Sequence, residues 1–198
     1  RLTLTRGEKV TSGMDARLNQ SGCCLIVLAE WKKKVYDFSK GIRAISSSIR
    51  RSIPAFLDSK IHHNNMLSLV IAKIHANIAG YDAAVMLDDR GFVAELNDTN
   101  LFMVKEGVVY TPYANACLPG ITRQTFIHLL EENKISILER DLSLVEFINA
   151  DLVFATGTNG EITPVTEMDG REIKCDQKYL EELKDLFEAK LPSLCEPL

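Results

Sequence analysis

The sequence predicts an α+β fold, in which helices pack on a largely antiparallel sheet. Short apolar runs follow one another between residues 83 and 111, separated by tight polar turns, and this pattern indicates an antiparallel meander. Longer stretches show the three- and four-residue apolar spacing of amphipathic helices. The 198 residues suit one large domain, or one domain with part of a second, and no internal repeat is visible.

The first fifty residues predict short strands. Polar and apolar residues alternate over residues 1–5, so we expect a strand there and a preceding segment that has been removed. A polar loop follows at 11–20. Residues 23–29 and 42–46 are apolar and predict two further strands.

The clearest helix is predicted over residues 64–79. Asn64 is a suitable N-cap and Gly80 stands where a C-cap glycine belongs. Its apolar residues recur at intervals of three and four and form a broad apolar stripe: Met66, Leu69, Val70, Ile74 and Ile78.

The rest of the chain alternates strands and helices. Strands are predicted at 83–87, 92–95, 100–105, 108–111, 135–140, 152–156 and 162–165, and a hairpin turn at 168–171. Helices are predicted at about 121–133, 143–148 and 178–191.

Composition excludes several classes of protein. The net charge of −4, with no basic run longer than residues 32–34, argues against a nucleic-acid partner. The longest apolar runs are far too short to span a membrane. Five cysteines without CxxC spacing indicate free thiols and no metal site, so we expect the cytoplasm or an organelle matrix and not secretion.

Lys60 is the candidate nucleophile. It lies where a polar loop after Pro54 leads into the predicted helix. A lysine partly withdrawn from water loses proton affinity, and its neutral amine can form a Schiff base with a carbonyl. Taken alone, a solvated surface lysine is the commoner case.

Two turns are candidates for anion binding, and one acid is a candidate partner for a cation. Gly120-Ile121-Thr122 opens a helix, where unpaired N–H groups favour negative charge, and Gly157-Thr158-Asn159 follows a strand. Each of the two sequences is also common in turns and loops that bind no ligand. Glu95 ends an apolar strand, where burial requires a cationic partner such as a protonated pyridine nitrogen, unless the side chain faces outward.

These residues occur in one order along the chain: Lys60, Glu95, Leu-Pro-Gly-Ile-Thr-Arg at 118–123 and Gly-Thr-x-x-Glu-Ile-Thr-Pro-Val at 157–165. The combination resembles the class IV, or fold type IV, pyridoxal-phosphate aminotransferases. That group includes branched-chain and D-amino-acid aminotransferases and 4-amino-4-deoxychorismate lyases. The resemblance extends from residue 1 to about residue 173.

The resemblance implies roles residue by residue. Lys60 would hold pyridoxal 5′-phosphate as a Schiff base and move a proton, and Glu95 would face the pyridine nitrogen. Leu118 would pack on the ring, and Asn65 stands where branched-chain enzymes usually have a tyrosine. The residues implied in phosphate binding are Gly120, Ile121, Thr122, Gly157 and Thr158. Arg1 and Asn159 would contact the substrate.

The resemblance also implies an organisation and an activity. Residues 1–52 would be the end of a small N-terminal α/β domain, and residues 53–198 the large cofactor-binding domain of a homodimer. The implied reaction moves an amino group from an amino acid, with branched-chain donors favoured, to a 2-oxo acid. The alternatives are aminodeoxychorismate lyase, D-amino-acid aminotransferase, and a truncated, catalytically silent domain that binds cofactor or a partner.

Overall fold

The computed structural model describes residues 1–31, 40–158 and 161–194, which group into two compact units. In the first unit, β1 (Leu2–Thr5) pairs antiparallel with β2 (Cys24–Val27), and one turn of 3-10 helix (Ala16–Leu18) lies in the connecting loop. The strands predicted at 1–5 and 23–29 are therefore confirmed.

The second unit contains one large sheet with helices. Its elements are β3 (Ile42–Ser46), α1 (Leu67–Ile78), β4 (Ala83–Leu87), β5 (Val93–Leu96), β6 (Asn100–Lys105), β7 (Val108–Thr111), α2 (Ile121–Glu132), β8 (Ile137–Glu139), α3 (Leu144–Ile148), β9 (Leu152–Gly157), β10 (Glu161–Met168), β11 (Arg171–Glu172) and α4 (Gln177–Leu194). Within the described residues, nine strands form the sheet in the order β5-β4-β3-β10-β9-β6-β7-β8, with β11 paired to β10.

The predicted α+β class is confirmed, because the sheet is mixed and mainly antiparallel. Only β3 with β4, β3 with β10, and β7 with β8 run parallel among the described pairs. Since β3 lies inside this sheet, residues 42–46 belong to the second unit. The predicted domain boundary at 52/53 stays a prediction.

The predicted continuous meander is wrong, although both of its hairpins are present. β4 pairs with β5, and β6 pairs with β7, but β3, β10 and β9 lie between the two hairpins in the sheet. The turn after β5 is tight, with the Leu96 N–H donating to the Thr99 carbonyl at 2.9 Å. It redirects the chain so that β6 pairs with β9, and the sheet curls.

Helix α1 ends as predicted but begins later. Gly80 adopts φ +79°, and the N–H groups of Gly80 and Tyr81 donate to the carbonyls of Asn77 and Ala76. At the other end Met66, and not Asn64, occupies the N-cap position, and no described side chain caps the helix.

The predicted apolar stripe of α1 packs on the sheet only in part, through Leu69. Val70, Ile74 and Ile78 are 52%, 47% and 80% exposed. The face that packs on the sheet instead carries Ala72 and Ala76, which contact β4 in one buried cluster. Small side chains allow the helix axis to approach the strands closely, and Val70, Ile74 and Ile78 lie away from this contact.

An aromatic cluster fixes α2 on the sheet. The rings of Phe102 in β6 and Phe154 in β9 stack at 5.2 Å, and Phe126 of α2 meets both edge-on at 5.3 and 5.5 Å. Phe187 of α4 covers Phe126 from the outside. These contacts place the N-terminus of α2 beside the ends of β6 and β9.

None of the helices in the described ranges is long and apolar enough to cross a membrane. The four described cysteines are all free thiols.

Candidate active site

A cavity of about 380 Å³ lies beside the outer face of α1. Its volume is within the range of small-molecule pockets. Met66, Val70 and Ile74 form an apolar wall, so the exposed stripe of α1 lines a pocket and does not pack on the core. Glu95 and Leu118, two of the residues predicted for the site, line the same cavity.

Glu95 is buried, which removes the outward-facing alternative. The residue lies on β5 and is 6% exposed. One carboxylate oxygen lies 2.9 Å from Nε of Arg51, and the other accepts a hydrogen bond of 3.1 Å from Nδ2 of Asn100. The Leu118 backbone N–H also favours the charged form of the carboxylate and so lowers its pKa. The cationic partner that burial requires is therefore a protein side chain.

Neither Arg51 nor Asn100 was predicted from the sequence. The only signal for Arg51 is the pair Arg50-Arg51 just before the loop, and nothing local indicates which arginine turns inward. Asn100 has the local pattern of an ordinary first residue of a strand. Their contacts with Glu95 join residues 44 and five positions apart, so they depend on how the elements pack.

Burial raises the pKa of Glu95 to about 7, against the opposing effects of the Arg51 guanidinium and the Leu118 N–H. A carboxyl group with this pKa exchanges its proton near neutral pH. It is therefore suited to hold or release a proton on a basic nitrogen in the cavity.

This raised pKa predicts a pH-dependent stability. The native state holds the Glu95 proton more tightly than the unfolded state does, so the free energy of unfolding falls as pH rises from about 4.5 to about 7. Glu95→Gln cannot titrate. The difference in unfolding free energy, wild type minus Glu95→Gln, should therefore fall by about 3 kcal/mol between pH 4.5 and 8 in denaturant titrations. A constant difference would contradict the raised pKa.

Lys60 lies next to the cavity but its side chain does not line it. Ser59 and Ile61, on either side, are wall residues. The Lys60 ammonium is 3.0 Å from a carboxylate oxygen of Asp58, and the side chain is 43% exposed. The Lys60 N–H and ammonium lower the pKa of Asp58. The expected withdrawal of Lys60 from water is not seen in this arrangement, and its role as nucleophile stays a prediction.

The N-terminus of α2 lies close to Glu95. Gly120 is the N-cap and no described side chain caps the helix, so its first N–H groups are available to an anion. Thr122 is half-buried, whereas Ile121 is 82% exposed. A Cβ at Gly120 would overlap the side-chain oxygen of Asn100, so this turn requires glycine for close approach.

The second predicted turn lies at the end of β9. A Cβ at Gly157 would meet the Thr99 methyl at 3.0 Å, and Thr158 is exposed. The buried hydroxyls of Thr99 and Thr156 have no hydrogen-bond partner within the part of the chain that the structure describes. Unpartnered buried hydroxyls beside a small-residue turn fit a polar ligand group such as phosphate.

The remaining predicted residues lie elsewhere. Asn65 lines a neighbouring cavity, which shares Arg51, Ser59 and His63 with the first. Arg1 belongs to the first unit and is exposed, and Asn159 lies outside the described residues. Their roles, like those of the phosphate-turn residues, stay predictions.

His62 and His63, two loop residues, line the first cavity. His63 accepts a hydrogen bond from the Asn65 N–H at its Nδ1, 3.1 Å away. In the described part of the chain, no three His, Cys, Asp or Glu side chains are grouped so as to hold a metal ion.

Comparison with known proteins identifies relatives of this chain. A family model described as Amino-transferase class IV matches residues 1–168. The chain is 55% identical over 173 residues to branched-chain-amino-acid aminotransferase-like protein 2 of Arabidopsis thaliana, a match that covers 87% of this chain and 31% of that protein.

Solved structures agree with this match. The branched-chain aminotransferase of the archaeon Thermoproteus uzoniensis with norvaline aligns with a TM-score of 0.76 at 29% identity, over 86% of this chain and 56% of that one. The Escherichia coli branched-chain amino acid aminotransferase aligns with a TM-score of 0.78 at 31% identity, over 89% and 59%. The chain therefore spans less than two thirds of the length of each of these relatives.

Proposed function

Because the chain belongs to the class IV aminotransferases, we propose that it is the cofactor-binding part of a pyridoxal-phosphate-dependent aminotransferase. It moves an amino group from an amino acid to a 2-oxo acid. The observation that carries the proposal is Glu95, a carboxylate with raised pKa that is buried on the wall of a pocket flanked by the Lys60 loop.

The residues present fit the cofactor. Glu95 would hold the ring nitrogen, Leu118 would cover the ring, and Asn65 would approach the ring oxygen. The N-terminus of α2 at Gly120, Ile121 and Thr122, with Gly157 and Thr158 at the end of β9, would hold the phosphate; the unpartnered Thr99 and Thr156 hydroxyls beside that turn support a polar group there. When bound, pyridoxal 5′-phosphate supplies an aldehyde that takes the amino group and a ring that accepts electrons from the substrate's α-carbon.

The chain's own residues then bind, orient and move protons. Arg51 and Asn100 hold the two oxygens of Glu95 in place, so the carboxylate keeps its position when its protonation changes. Lys60 would anchor the aldehyde and carry the proton of the α-carbon. This requires its side chain to leave Asp58, and a solvent-exposed ion pair opposes such a rotation only weakly.

We propose branched-chain amino acids as the preferred donors. The apolar wall of α1 offers Met66, Val70 and Ile74 to a hydrocarbon side chain, and two relatives carry branched-chain substrates in their names. Arg1 and Asn159 are proposed contacts of the substrate. A homodimer in a reducing compartment completes the proposal.

One observation favours a second candidate, a catalytically silent domain. The ammonium of Lys60 is paired with Asp58 outside the cavity. A chain that keeps this pairing would bind the cofactor without covalent attachment, or would serve another protein.

A titration of the purified chain separates these functions. Pyridoxal 5′-phosphate should raise the melting temperature and give a visible absorption band that shifts on addition of L-leucine, with release of the corresponding 2-oxo acid. Turnover of D-alanine, or pyruvate release from aminodeoxychorismate, would move the assignment to the alternatives. A colourless protein without a thermal shift would reject the proposal in favour of the silent domain.

A further inference from the structure

We propose that Asn100 is a positioning residue that sets the distance between the Glu95 carboxylate and the turn at the N-terminus of α2. The inference rests on the proposed function, because these two parts would bind the ring nitrogen and the phosphate of one ligand. Asn100 itself need not touch that ligand.

The side chain of Asn100 contacts both parts at once. Its Nδ2 donates to Glu95 at 3.1 Å and to the Leu118 carbonyl at 2.9 Å. Its Oδ1 fills the space in which a Cβ of residue 120 would lie. The side-chain amide of Asn100 therefore connects Glu95 on β5 with the turn before α2, and the residue is 7% exposed.

The backbone of Asn100 connects these two parts to a third part of the proposed site, the turn at Gly157 at the end of β9. Asn100 is the first residue of β6 and lies directly opposite Thr156 of β9, so it faces the strand that leads into Gly157. Residue 99, its neighbour, packs its methyl group against Gly157. Asn100 is thus fixed to the sheet, and the two flanking segments are fixed to Asn100.

An asparagine suits this position for chemical reasons. The amide has two N–H groups, and the Glu95 oxygen that accepts from it would lose that bond in a buried place without it. The Leu118 carbonyl would keep a second donor, the Gly120 N–H at 2.8 Å, but would lose its link to β6. Aspartate would offer no donor when ionised and would place a second negative charge beside Glu95. The amide therefore holds the two segments together without repelling the carboxylate.

A fixed spacing has a measurable consequence. A ligand that carries a ring nitrogen and a phosphate gains affinity from both groups only if the protein holds their two sites at the matching distance. Loss of Asn100 should therefore reduce the advantage of linking the two groups more than it reduces the affinity for either group alone.

The test uses three probes without an aldehyde, so that no covalent bond with a lysine forms: pyridoxine 5′-phosphate, pyridoxine and inorganic phosphate. Their Kd values are measured by calorimetry on the whole purified chain. In Asn100→Ala, the ratio of the pyridoxine 5′-phosphate Kd to the product of the other two should rise by about tenfold or more. Gly120→Ala, which displaces the same amide from the other side, should raise it likewise.

Asn149→Ala is the matched control. Asn149 also donates its amide to a carbonyl, that of Val145 at 2.8 Å, but at the exposed end of α3. It should leave the ratio unchanged. If Asn100→Ala does not fold, Gly120→Ala carries the test.

The outcomes separate the two levels of the proposal. If all three Kd values rise by a common factor, the ratio falls by that factor. In that case, or if the ratio equals that of the wild type, Asn100 has only a general structural role and the inference is wrong. If the wild-type chain binds pyridoxine 5′-phosphate no more tightly than inorganic phosphate, the proposed function itself fails and this inference falls with it.

Discussion

Lys60→Ala should abolish amino transfer, with turnover reduced by about a thousandfold or more. The reason is that the proposed function gives this amine both the attachment of the cofactor and the movement of the α-proton, and proton transfer alone contributes about 10²–10⁴-fold. Turnover is measured with L-leucine and 2-oxoglutarate. Borohydride reduction followed by peptide mass analysis identifies the lysine that carries the cofactor.

Lys73→Ala is the control for this result, because Lys73 is a second lysine that could reach a ligand in the cavity. Lys73 lines the cavity, whereas Lys60 does not, and its ammonium donates to the Asp82 carbonyl. Lys73→Ala should leave the reducible attachment intact. If reduction labels Lys73, or if Lys60→Ala keeps its label, the assignment of the nucleophile is wrong.

Arg51→Met should lower the free energy of unfolding by about 3–5 kcal/mol at pH 8, because removing one partner of a buried ion pair leaves an uncompensated charge. The Arg51 and Glu95 side chains are only 9% and 8% exposed, so solvent cannot replace the lost partner. Arg51 Nε also donates to the Ala116 carbonyl at 3.2 Å, and this bond is lost too. Urea titrations measure the change.

The pH dependence identifies the cause of that loss. In the native state the pKa of Glu95 is raised to about 7, so Glu95 is protonated at pH 5. The loss of unfolding free energy in Arg51→Met should therefore be smaller at pH 5 than at pH 8. The double variant Arg51→Met/Glu95→Gln should recover much of the stability, since a neutral pair needs no counter-charge. Arg43→Met is the matched control, because it also removes an arginine from an ion pair, that with Glu167, but the Arg43 side chain is 49% exposed. Equal losses at both pH values, or equal losses for both arginines, would contradict the buried-pair account.

Prediction from the sequence succeeded where the signal is local. Strand β4 has the predicted bounds of 83–87, since a continuous apolar run between turn residues specifies a buried strand. Gly80 ends α1 because only a residue that tolerates positive φ closes the helix there. For the site, the family pattern pointed to Glu95 and Leu118; both line one cavity, whereas their roles stay predictions.

Prediction failed where the signal is a contact between distant residues. The apolar spacing of α1 indicates an amphipathic helix, but it does not say whether the alanine face or the large-residue face meets the sheet. Likewise the hairpins at 83–96 and 100–111 were correct as pairs, whereas their separation by three strands depends on where β3, β9 and β10 pair.

The sequence by itself determined the α+β class, the order of the elements and the family. Apolar periodicity, helix caps and motifs each depend on residues that are close together in the sequence. Only the tertiary structure decided that Arg51 neutralises Glu95, that Asn100 joins two segments of the site, and that Lys60 pairs with Asp58 beside the cavity. Burial and charge pairing are properties of the packed chain. A side chain acquires its partner only when elements far apart in sequence have met.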